Sequence, residues 1–281
     1  MVGMVHSSYY RRPTLGKKGN NPSELTFNKF KGHVSQDAVI ESIKGILSNE
    51  FIDCGYRLMT SYLQREGYLI NHKKLYRIMR EEGLLKLENR IKRSGSGRKF
   101  VKYRKVITVR PFQCIEMDIK MVWIPSVGKN AYLLSMIDVH TRRILKDYFS
   151  FSIKQNKVIT FLSDLFLEYQ YPESVVIRSD NGSQFIAKSV REYLGIIGVE
   201  QEFTHVATPE ENAHIEAYHG ILKKEVFQRV DYRTFGEIEQ ILKRYVVFYN
   251  NTRLHGLLGR VTPMEKWNQD KNLILMNKLT A

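Results

Sequence analysis

The sequence predicts an α/β protein, a mixed sheet with helices on both faces, preceded by a small helical region of helix-turn-helix type. Three observations lead there. Apolar residues recur at helical spacing between Val39 and Met79. From Phe112 onward the pattern switches to strand-type runs, three in succession and then alternating with helical stretches, the order expected of a mixed sheet covered by helices. The basic excess is confined to one end: residues 1–110 hold 23 Lys and Arg against 9 Asp and Glu, and the remainder 21 against 20.

Residues 1–34 mix Gly, Pro, Asn and Lys with little periodicity and are expected to form a poorly ordered arm. A helical DNA-binding region is assigned to 35–89. Its first helix places Val39, Ile40, Ile43, Ile46 and Leu47 on one side, with Ser35 as N-cap. The second runs from about Gly55 to Glu66 and stops at Gly67. The third is capped by Asn71, carries Leu75, Ile78 and Met79 at i, i+3, i+4, and ends at Gly83. Its other face bears Lys73, Arg77 and Arg80, which suits a helix laid against DNA as much as one facing solvent. Residues 90–110 contain nine basic residues, no acidic one, and Ser94-Gly95-Ser96-Gly97, a basic linker able to follow a phosphate backbone.

The core is assigned to 111–268 and a C-terminal tail to 269–281. Cys114–Ile124, Tyr132–Val139 and Ile144–Phe151 are expected as consecutive antiparallel strands. A helix at about 154–168, a strand at 175–178, a helix at 187–197 and a strand at 202–205 follow. Helices near 209–227 and 234–250 complete the order.

The formal net charge of +15 points to a polyanionic partner, nucleic acid or an anionic surface. No run approaches the roughly 18–20 apolar residues of a membrane span, so a soluble, untargeted chain is expected. Cys54 and Cys114 lie 60 positions apart, which offers neither a disulfide framework nor a CxxC knuckle.

Three carboxylates stand out. Asp118 interrupts an apolar strand, where a charge is costly to bury without compensation. Asp180 ends the run Val175-Val176-Ile177-Arg178-Ser179, at the strand edge where open sheets place ligands; the following Asn181-Gly182 fits a simple turn as well. Glu216 shares a helical face with Asn212, His219, Gly220 and Lys223. Taken singly, each has an ordinary structural explanation. Together they make three hard oxygen ligands, the set that suits two Mg²⁺ or Mn²⁺ ions about 3.5–4 Å apart in phosphoryl transfer. Zinc chemistry fits poorly. His214-Ile215-Glu216 supplies half of a deaminase signature but no P-C-x-x-C follows, and His214 and His219 are five apart where a zinc protease helix needs four.

At these residues the chain resembles the retroviral-integrase-like (DDE) transposases of two-frame bacterial insertion sequences, specifically the second-frame product. Ile115-Glu116-Met117-Asp118-Ile119 resembles the strand with the first aspartate, Arg178-Ser179-Asp180-Asn181-Gly182-Ser183-Gln184-Phe185 the second, and Asn212-Ala213-His214-Ile215-Glu216-Ala217-Tyr218-His219 the glutamate. The 35 residues between Asp180 and Glu216 match the family's spacing. Weaker likeness extends to Gly55-Tyr56-Arg57, to Tyr249-Asn250-Asn251, Arg253, His255 and Thr262-Pro263, and to Ser7-Ser8-Tyr9-Tyr10-Arg11.

The resemblance implies a ribonuclease H-like core with Asp118, Asp180 and Glu216 as catalytic, metal-holding residues. Lys223 would grip the DNA end, with Asn181 and His219 in supporting roles. It implies cleavage at terminal repeats and transfer to target DNA, self-association in a synaptic complex, an upstream-frame partner, and a cytoplasmic, nucleoid-associated bacterial protein with no membrane contact. A non-catalytic DNA-binding regulator and a ribonuclease H-type nuclease are the alternatives.

Overall fold

The computed structural model describes residues 23–85, 106–169, 174–205 and 209–276. Most of the expected linker therefore lies outside the described residues, as do Ser7 to Arg11 and the last five residues.

The helical region forms as its caps predict. Ser35 Oγ accepts from the Ala38 N–H at the start of α1 (Gln36–Leu47). α2 (Tyr56–Arg65) follows, and Asn71 Oδ1 accepts from the N–H groups of Lys73 and Lys74 to open α3 (His72–Glu81). Val39, Ile43, Met59, Leu63, Leu75, Ile78 and Met79 fill the space between the three helices and are fully buried.

Part of the expected arm is structured. β1 (Thr26–Asn28) and β2 (Gly32–Val34) form an antiparallel hairpin, and β1 also pairs with β3 (Tyr68–Leu69), which joins α2 to α3. The cause is a long-range lock: Asn28, buried, donates to the Glu66 carbonyl at 3.0 Å and accepts from the Phe30 and Lys31 N–H groups.

The second body is built on β4 (Cys114–Ile124), β5 (Lys129–Asp138), β6 (Ile144–Ser150), β7 (Val176–Ser179) and β8 (Glu200–Phe203), in the order β6-β5-β4-β7-β8. The first three are antiparallel; β7 and β8 run parallel to β4. This is the mixed, ribonuclease H-like sheet that the sequence predicts, with β8 starting two residues earlier than expected.

Alternation along β4 feeds two cores. Ile115 and Met117 pack with α4 (Gln155–Glu168), α5 (Ser183–Ile186) and α6 (Lys188–Ile196). Val122 and Ile124 face the opposite layer, where α7 (Ala213–Leu222) and α8 (Phe235–Asn251) bury Ile215, Tyr218, Leu222, Tyr245 and Tyr249. Cys114 is buried and its thiol is pushed up to about 12 by that burial, so it stays protonated; neither Cys54 nor Cys114 forms a disulfide.

Two domain edges differ from expectation. Arg110, counted with the basic linker, is 5% exposed and donates to the Pro111 carbonyl. The expected tail contains α10 (Asn272–Met276), following α9 (Pro263–Asp270), and its Ile274 joins the first core. An apolar side chain with a core to enter is held there by burial.

The helical region docks on the sheet's second layer. Phe51 packs edge-on against Tyr245 and beside Phe248, Tyr62 bridges the Thr252 carbonyl and the Leu254 N–H, and Arg65 grips both oxygens of Glu265 at 2.7 Å.

Candidate active site

The parallel pairing of β4 with β7 sets Met117 opposite Ser179, so the next residues, Asp118 within β4 and Asp180 just past the end of β7, stand side by side. Burial raises the Asp180 carboxyl above its ordinary value, the Gly182 N–H opposes that, and the negative charge of Asp118 adds to it. Gly182 N–H donates to Asp180 Oδ1 at 3.0 Å. A Cβ on Gly182 would come within 2.5 Å of the Gln184 amide and 3.0 Å of Asp180 Oδ1, so a larger residue there would have to displace the Gln184 side chain and crowd the Asp180 carboxylate. Asn181 Nδ2 pins the same turn by donating to the Thr204 carbonyl at 2.8 Å.

α7 lies over β4 and carries Glu216 and, one turn on, His219. His219 Nδ1 is 3.3 Å from Asp118 Oδ2, and its buried Nε2 has no partner among the described residues. Asp118 Oδ1 accepts from the Ile119 N–H. Glu216 is exposed. Among the described residues no three His, Cys, Asp or Glu side chains converge closely enough to hold a metal ion. The structure thus joins Asp118 to Asp180 and to the α7 face, on which Glu216 is exposed.

The donor set still fits a divalent cation. Two hard carboxylates held side by side repel one another, and a cation between them reverses the sign of that interaction.

Residues 108–209 and 197–263 match the integrase core domain family, and residues 35–92 match an HTH-like domain family. The InsK protein of insertion sequence element IS150 from Escherichia coli strain K12 is 28% identical over 226 residues, 76% of this chain and 77% of that protein. The transposase for IS904 from Lactococcus lactis is 25% identical over 248 residues, 85% and 97% of the two chains. The chain belongs to the integrase-core DNA transposases. Among solved structures it is similar to the catalytic core of BIV integrase, at 16% identity and a TM-score of 0.42, covering 60% of this chain and 97% of that one.

Two lysines flank the transposase's carboxylates. Lys223, exposed, opens a π-helical turn (Lys223–Phe227) that continues α7. Lys120, two residues after Asp118 on the same strand face, has its ammonium pulled below its usual value by burial and then by Lys223, with Asp118 opposing. Lys73, Arg77 and Arg80 stay with the helical region: Lys73 and Arg80 are exposed, and Arg77 reaches the Ser23 carbonyl at 3.5 Å.

Sequence reasoning passed over Lys120 and Glu116. Glu116 is fully buried, and its carboxylate accepts from the N–H groups of His214 and Ile215 at 2.9 and 2.8 Å, beside His214 Nδ1 at 2.6 Å. The period of two along β4 places Glu116, Asp118 and Lys120 on one face, a signal that could have found both.

The turn before α7 is held separately. Arg178 bonds Glu202 and the Glu211 carbonyl. The Glu211 carboxylate, lowered chiefly by the His205 N–H, accepts from that N–H at 2.8 Å.

Proposed function

We propose that the transposase uses Asp118, Asp180 and Glu216 to hold Mg²⁺ or Mn²⁺, two ions when loaded, and that with them it cleaves the element's terminal repeats and joins the freed 3′-hydroxyl to target DNA. The observation that carries this is the β4–β7 register, which sets Asp118 and Asp180 side by side under the α7 face that bears Glu216.

Bound metal supplies activation of a water or 3′-hydroxyl and stabilisation of the leaving oxygen in an in-line displacement at phosphorus. The chain's own groups do the rest. Asp118 and Asp180 present adjacent oxygens from a rigid sheet. Glu216 comes from a helix anchored to the same strand through Glu116, and its exposed side chain is open to an incoming cation. Lys223 and Lys120 place positive charge beside those oxygens and hold the DNA phosphate, and His219 orients Asp118. The exposed Lys73 and Arg80, with Arg77, form the DNA face of α3, and DNA and a second copy of this chain are the partners that bringing two ends together requires. An upstream-frame protein and a nucleoid location belong to the same reading.

Labelled terminal-repeat DNA incubated with Mg²⁺ or Mn²⁺ tests it, with Glu216→Gln as the comparison. Joined products that vanish in the variant support the assignment. Undiminished joining by the variant overturns it, and cleavage without joining replaces it with a nuclease.

A further inference from the structure

The hairpin that replaces the expected arm ends in the turn Lys29-Phe30-Lys31, and that turn is held rigidly. Asn28, 1% exposed, accepts from the N–H groups of Phe30 and Lys31 at 2.9 and 3.2 Å and anchors its amide on the Glu66 carbonyl. The Lys29 N–H donates to the Gly67 carbonyl at 2.9 Å. Gly67 has φ +89°, and a Cβ there would lie 2.7 Å from the Phe30 ring. The phenyl is thus seated on the Gly67 backbone, yet Phe30 is 80% exposed.

The sheet face beside it is also open. The β1–β2 and β1–β3 registers place Phe27, His33 and Leu69 in one outward row, with Phe27 41% and Leu69 58% exposed. Rigid exposure of an aromatic residue between two lysines has no use in packing. The hairpin is also tied to α3: Lys74 Nζ donates to the Leu25 carbonyl at 2.6 Å and Arg77 reaches Ser23.

We infer that Lys29-Phe30-Lys31 is a wing, a second contact with duplex DNA next to the one made by α3. It rests on the reading of α3 as a DNA-facing helix. Lys29 and Lys31 meet phosphates on the two sides of a minor groove, and Phe30 packs into the groove between them, as apolar wedges do. Charge selects this occupant: Lys29, Lys31, Lys73 and Arg80 are exposed on the hairpin and helix, with Glu66 the acidic residue that feels Lys31. A three-residue turn and its neighbours fall well short of the roughly 800 Å² per partner of a stable protein interface, which argues against a second copy.

Binding of the full chain to labelled random-sequence duplex DNA over a salt series tests the wing. Lys29→Ala with Lys31→Ala, both exposed and outside the fold's core, is expected to flatten the slope of log K against log salt by about 2 and to weaken binding about tenfold or more at low salt. Phe30→Ala is expected to weaken binding with the slope unchanged. An unchanged slope in the double-lysine variant, where Lys73→Ala with Arg80→Ala lowers it, overturns the wing and leaves α3 standing. Wild-type binding without salt dependence overturns α3 and the wing together. Loss of self-association in Phe30→Ala, with DNA binding intact in all variants, assigns the patch to a second copy and overturns the wing.

Discussion

Glu116 and His214 lie 98 positions apart in sequence, yet the Glu116 carboxylate caps the first turn of α7 by accepting from the His214 and Ile215 N–H groups, with His214 Nδ1 2.6 Å away. The strand that carries Asp118 therefore fixes the start of the helix that carries Glu216. A strand and a helix remote in sequence are locked together by one buried side chain.

Glu116→Ala leaves those two N–H groups without their acceptor, at a cost of about 1–3 kcal/mol each where they remain buried. A lower thermal midpoint is expected, together with faster hydrogen exchange at the amides of His214 and Ile215 and a loss of strand transfer. Glu116→Gln keeps one carbonyl acceptor and should recover part of all three. Unchanged exchange at those amides in Glu116→Ala would show that the helix start is held by other means.

Asp180→Asn removes one of two adjacent negative charges and keeps the acceptor for the Gly182 N–H. The fold is expected to be as stable or slightly more stable without cation, because burial and Asp118 both disfavour the Asp180 charge. Cleavage in Mg²⁺ should be abolished, with DNA affinity close to wild type. The calorimetric midpoint of the metal-free protein, with and without added Mn²⁺, separates the two effects: Mn²⁺ should raise the midpoint of the wild type and not of the variant.

Asp147 faces Ser135 across β5–β6 and accepts from Tyr218 Oη at 3.2 Å, and its Oδ1 is sealed from solvent. Burial pushes its carboxyl from 3.8 up to about 7, with the Ser135 and Tyr218 hydroxyls opposing. The folded protein therefore binds a proton that the unfolded chain has released, and stability falls as pH rises from 3.8 to about 7. Asp138 and Asp180 act in the same direction, so the informative quantity is the difference between wild type and Asp147→Asn. Urea midpoints at about pH 5 and about pH 8 should diverge less in the variant; an equal fall in both proteins would locate the titration elsewhere.

Four of the five core strands were legible because each is an apolar or alternating run closed by turn residues, and β4 shows Asp118 against that background; β8, Glu-Gln-Glu-Phe, has no such run and its expected start was two residues late. Asp180 was legible from its place after a buried strand. What escaped notice depends on contacts distant in sequence. The strand Thr26–Asn28 is three residues long and exists because Asn28 reaches Glu66, 38 positions away. The exposure of Glu216 could not be read from spacing, which reports a helix face and not how far solvent reaches it. The α10 segment reads as a tail until Ile274 meets the first core.

Docking of the helical region on the core rests on Phe51, 4% exposed, which sits between Tyr245 and Phe248. The polar ties around it are more exposed: Arg65 and Glu265 have side chains 39% and 42% accessible, and a pair of that kind contributes about 0–1 kcal/mol. Phe→Ala at a buried site costs about 3–5 kcal/mol, so the aromatic contact dominates. Phe51→Ala is expected to split a single thermal transition into two, one for each body, and to speed proteolysis between them. Arg65→Ala should keep one transition with a small drop in midpoint. Two transitions in Arg65→Ala and one in Phe51→Ala would reverse the assignment and make the ion pair the hinge of the assembly.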